Sequence, residues 1–138
     1  MKLIVLVAAL VVAAGAAAQP AEKFPSGVFR TTITDAELRA GGVKDIAQNH
    51  GTYTMTLRPG RWTFVQKAPN PLEIPVAGGV YAVAGNGIRF TIRTPAPLNG
   101  ASVHGTWTYN GKTLRFQGIR EDPAAHVVFT AHPWRKLR

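Results

Sequence analysis

Four histidines (His50, His104, His126 and His132) and seven acids (Glu22, Asp35, Glu37, Asp45, Glu73, Glu121 and Asp122) are the side chains here that could hold a metal or move a proton near neutral pH. Their spacing argues against both roles. No two histidines stand four apart and no His-Glu-x-x-His run exists, so a zinc hydrolase is not expected. None of the acids falls on a predicted inward position, so the facing carboxylates of a glycosidase are missing. Ser26 and Ser102 lack a Gly-x-Ser-x-Gly setting, and Gly78-Gly79 and Gly85-Asn86-Gly87 lack the following helix of a phosphate loop. With no cysteine, a thiol nucleophile, a cysteine metal site and a disulfide framework are all excluded. The expected class is a binding protein, not an enzyme, with no cofactor and no metal.

Chemistry of another kind is carried by the aromatics. Alternation along the predicted strands points Tyr53, Met55, Leu57, Trp62, Phe64, Tyr81, Val83, Phe90, Ile92, Trp107, Tyr109, Leu114, Phe116 and Phe129 to one side. An aromatic-lined concavity with a few phenol and indole donors is what a small-molecule pocket requires. The candidate ligand-binding residues are Tyr53, Trp62, Phe64, Tyr81, Phe90, Trp107 and Phe116. The same residues are equally suited to filling a small barrel, and the sequence leaves hollow and filled interiors open.

The elements that must position them are almost all strands. Gly27 to Ile33 is a β-branched and aromatic run. Thr34-Asp35-Ala36-Glu37 is a capping box flanked by Ile33 and Leu38, so a short helix follows directly and stops at Gly41-Gly42. Gly51 to Arg58 alternates cleanly and turns at Pro59-Gly60, which sets Leu57 against Trp62 and Met55 against Phe64. Ala68 to Pro75, with three prolines, is expected as a surface connection. Gly79 to Ala84 and Ile88 to Thr94 form a hairpin around Gly85-Asn86-Gly87. Val103 to Ile119 forms another, with Asn110-Gly111 as a type I′ turn that sets Trp107 against Leu114. His126 to Ala131 is expected as the last strand.

About eight strands, each with one apolar face and mostly joined as hairpins, leave a flat sheet with two open edges. Closure removes them, so the expected fold is an all-β, eight-stranded antiparallel up-and-down barrel with one short helix after the first strand. A β-sandwich of the same strands is the alternative.

Residues 1–18 read as a secretory leader: Lys2, an apolar run from Leu3 to Ala14, and Ala16-Ala17-Ala18 before a cleavage point. The barrel domain is then residues 19–138, and the expected location is secreted or extracytoplasmic. Without Lys2, 15 of the 16 lysines and arginines face 7 acids, a net charge of +8. The basic residues are dispersed, with one cluster at Arg135, Lys136 and Arg138.

Gly27-Val28-Phe29, the helix from Asp35 and the meander of hairpins to Ala131 together resemble the calycin superfamily, the lipocalins and fatty-acid-binding proteins. The resemblance implies a barrel that carries a small, largely apolar ligand. The alternative function is a filled barrel acting through its basic exterior on an anionic envelope surface or adhesion partner, with no small ligand. Nucleic acid is not expected as a partner, because aromatics and arginines fall on opposite strand faces, and the protein is expected to be a monomer.

Overall fold

Eight strands follow one another around a single sheet in the computed structural model, which describes residues 23–67 and 74–138. The expected leader 1–18 and most of the proline-rich connection, 68–73, lie outside the described residues. The order is β1 (Gly27–Ile33), α1 (Asp35–Ala40), α2 (Ile46–Asn49), β2 (Gly51–Arg58), β3 (Arg61–Lys67), β4 (Ile74–Ala84) and β5 (Gly87–Thr94). A 3-10 turn (Ala96–Leu98), β6 (Ser102–Tyr109), β7 (Thr113–Gln117), α3 (Pro123–Thr130) and β8 (Trp134–Lys136) complete it. Each strand pairs antiparallel with the next, and β8 returns to β1 through Phe29 opposite Lys136 and Arg30 opposite Arg135. The sheet is therefore a closed up-and-down barrel and not a sandwich, with β1 and β8 bonded to each other instead of standing as two open edges.

Alternation decides what points inward. On β2, Tyr53, Met55 and Leu57 are buried while the threonines between them are only half-buried. The Pro59-Gly60 turn keeps this face continuous, with Leu57 opposite Trp62 and Met55 opposite Phe64. On β4 the pattern weakens at the rim. Tyr81 packs inward opposite Phe90, but Val83, expected inside, is 39% exposed beside the turn that precedes β5. β4 also begins earlier than its proline suggested. Pro75 pairs with Val65 where the β3–β4 register slips, and such an irregularity tolerates a residue with no N–H.

The β6–β7 turn is displaced from its expected place. Asn110 flanks the turn, and Gly111-Lys112 form its centre, because the Asn110 side-chain oxygen accepts from the N–H groups of Lys112 and Thr113 at 2.9 and 2.8 Å. Gly111 takes φ +93°, which a side chain disfavours. Trp107 therefore faces Phe116, not Leu114, and Tyr109 faces Leu114. A two-residue change in register leaves every side chain on its original face, so the inner set survives.

A larger correction concerns the last strand. His126 to Ala131 is not a strand: it lies in α3 and the residue after it. The Asp122 carboxylate accepts the Ala125 N–H at 3.0 Å, and Pro123 occupies the first turn, where no donor is needed. Val127, Val128 and Phe129 are all buried, with Val127 against the end of α1 and Phe129 against the rings of the barrel. The eighth strand is the short Trp134–Lys136 segment beyond Pro133.

The capping box at α1 forms as expected, with Thr34 and Glu37 satisfying each other's backbone N–H groups. Leu38 is fully buried, and Gly41 ends α1 so close to α3 that a Cβ there would stand 2.2 Å from Val127 Cγ2. Before β1 the chain is anchored by Phe24, whose ring lies 5.0 Å from Tyr81 and 5.3 Å from Trp107.

Candidate ligand site

The barrel interior is a column of aromatic rings. Tyr81, Trp107 and Phe116 meet Phe24 at one level. Phe90 is the central ring, 5.6 Å from Phe116, 5.5 Å from Trp62 and 5.2 Å from Phe129. Below it Phe64 stacks on Trp134 at 5.4 Å and leans on Phe129 at 5.0 Å. These tilted and edge-on contacts suit aromatic quadrupoles and leave the middle of the barrel filled.

The indole donors are spent on backbone. Trp62 Nε1 donates to the Val80 carbonyl, Trp107 Nε1 to that of Gly85 and Trp134 Nε1 to that of Phe129. The Tyr53 hydroxyl donates to the Asn49 carbonyl at 2.9 Å, and burial pushes its pKa up to about 12. None of these groups is left to orient a polar ligand.

Space remains at the helical end. A cavity of about 190 Å³ lies between α3 and the inner faces of β2 to β6, with walls that include Tyr53, Trp62, Phe64, Ile92, Val128 and Phe129. Of the seven candidate residues, Tyr53, Trp62 and Phe64 line it. Phe90 lies behind them, while Tyr81, Trp107 and Phe116 belong to the packed level around Phe24. Val128, inside the segment expected as a strand, and Ala125, just before it, line the cavity only because the chain is helical from Pro123. The Asp122-Pro123 pair, a helix-start signal, was the clue in the sequence.

Three histidine–carboxylate pairs brace the elements around this end. His50 at the start of β2 holds Asp35 of α1, His132 beyond α3 holds Glu37 of α1, and His104 of β6 holds Glu121 just before α3. His126 binds the Ile119 carbonyl through Nδ1 at 2.7 Å. Partial burial alone would raise the pKa of Glu37, but the Thr34 N–H and hydroxyl and the His132 ring outweigh it, and the net direction is downward. Glu121 is also lowered: burial is outweighed by its own N–H, that of Arg120, and His104. Among the described residues, no three histidine or acidic side chains gather as a metal site would need.

The exterior arginines Arg58, Arg61, Arg89, Arg93 and Arg115 do not share one side, because they sit on β2, β3, β5 and β7 around a closed barrel. The closing seam instead brings Arg30 and Arg135 together. Comparison with family models, with curated proteins and with solved structures finds no match for this chain.

Proposed function

We propose that this protein is a secreted, calycin-like barrel that binds a small apolar molecule about one ring in size, beneath α3, and performs no catalysis. The observation that carries the reading is the cavity of about 190 Å³, whose exposed lining is chiefly carbon. An apolar cavity of roughly 150 Å³ is enough to take up benzene. The aromatic packing above it limits the ligand to this end. With the indoles and the Tyr53 hydroxyl already bonded to backbone, affinity comes from apolar burial and shape. Secretion rests on the leader-like composition of residues 1–18.

The test is titration of the protein with 4-fluorotoluene, followed by fluorine NMR and by Trp62 fluorescence. One-to-one saturation is expected in the parent and in Trp107→Phe, which changes the far level of the column. Loss is expected in Val128→Trp, which fills the cavity from α3. Absence of saturation, or undiminished binding by a folded Val128→Trp, overturns the reading.

A further inference from the structure

The barrel closes through a seam that carries charge as well as hydrogen bonds. Arg30 on β1 stands directly opposite Arg135 on β8, where Cα atoms of paired antiparallel residues lie about 4.5–5.5 Å apart. Like charges in that relation repel. Among the described residues, neither guanidinium meets a carboxylate, since every ion pair there uses a histidine.

The register of β1 against β8 covers Phe29 and Arg30, and backbone bonds of Val28 with Leu137 and Arg138 carry it on in one direction only. Continued by two places, the register would set Thr32 against Pro133, which has no N–H to donate. A groove of about 440 Å³ lies where the strands part, lined by Arg30, Thr31, Thr32, Thr113, His132 and Arg135, with Pro133 at its edge. Strand alternation sends Arg30, Thr32 and Arg135 outward. Thr54 on β2 accepts from Arg30 Nε at 3.4 Å, so that guanidinium leans toward β2 and must swing back across β1 to share an anion with Arg135. Thr31, between Arg30 and Thr32, is 5% exposed and faces the barrel interior with Phe29 and Ile33, so its side chain is not part of this outer surface. Glu37, the nearby carboxylate, is occupied by Thr34 and His132.

From this geometry we infer that the β1–β8 seam is an oxyanion site, taking a phosphate-class group between Arg30 and Arg135. Guanidinium forks match phosphate oxygens in pairs of hydrogen bonds, and an anion between the two forks turns their repulsion into attraction. The site is on the outside of the barrel and is independent of the interior cavity. The chemistry is the same for a free phosphate and for the phosphate of an anionic lipid headgroup.

The experiment is calorimetric titration of the protein with inorganic phosphate at low ionic strength, beside sedimentation with phosphatidylglycerol and with phosphatidylcholine vesicles. Arg30→Gln, Arg135→Gln and Arg89→Gln are compared, all at exposed positions. The expected result is saturable binding weakened about tenfold or more by the first two changes and little by the third, since each seam arginine supplies charge-assisted bonds. Arg30→Lys, which keeps the charge and loses the fork, should fall between. Seam-dependent binding of phosphatidylglycerol vesicles without binding of inorganic phosphate supports the site and identifies a headgroup as its source. Equal weakening by Arg89→Gln shows diffuse surface charge and overturns the proposal, as does the absence of saturable binding to either probe.

Discussion

Phe90 shows what a single position does in this barrel. It is fully buried and touches rings above and below it, from Phe116 to Phe129, so its removal opens a void that no neighbour can close without leaving its own contacts. Phe90→Ala is expected to cost about 3–5 kcal/mol, the range for large aromatic truncations in cores. Val83→Ala, at an exposed rim position that the alternation alone assigned to the interior, should cost well under that. Urea melts of the two variants check the contrast. Equal losses would mean that the aromatic column does not carry the packing. The spent indole donors make the same point chemically, since a tryptophan tied to Val80 or Gly85 serves the wall before it serves a ligand.

At the scale of elements, α3 connects barrel and cavity, and its start is set by one side chain. Asp122 accepts the Ala125 N–H, and Asp122→Ala should cost about 1 kcal/mol. The loss should be concentrated in faster amide exchange of Val127 to Thr130, with the strands little changed; uniform acceleration would show that α3 does not open separately. The same element explains where sequence reading stopped. Period-two alternation shows which face a side chain takes, and so the barrel and most of the inner set were legible from Tyr53 to Phe116. It does not show at what height along the barrel each side chain ends, which depends on register, closure and tilt. Tyr53, Trp62 and Phe64 could not be separated from Tyr81, Trp107 and Phe116 for that reason. The β-branched and aromatic run from His126 to Ala131 favoured a strand on propensity. The Asp122 cap, Pro123 in the first turn and burial of Val127 to Phe129 prevail over it. The three-residue β8 was too short to carry a pattern, and it acquires meaning only as the strand that closes on β1.

Considered whole, the molecule joins its helical end to its barrel through pairs that depend on carboxylate charge. Glu37 and Glu121 both hold their protons less tightly when folded than the ordinary carboxyl value of 4.5. Above that value both are ionised in folded and unfolded chains, and their full contribution to stability is present. As pH falls below it, the unfolded chain takes up protons that the folded chain refuses, so stability declines until the folded carboxylates are themselves protonated. Tyr53 acts at the opposite limit: its phenol, raised to about 12 by burial, favours the folded state below the ordinary value of 10.0 and loses that contribution as pH rises from there. Stability should therefore form a plateau bounded by these groups. Glu37→Gln with Glu121→Gln should lower the plateau and flatten its acid shoulder, because Gln carries no proton linkage. Urea midpoints from about pH 7 to about pH 3 measure this. An acid shoulder unchanged in the double variant would assign acid sensitivity to other carboxylates. A flattened shoulder with faster exchange confined to α1 and α3 would show that these pairs hold the helical end, and with it the roof of the cavity, onto the barrel.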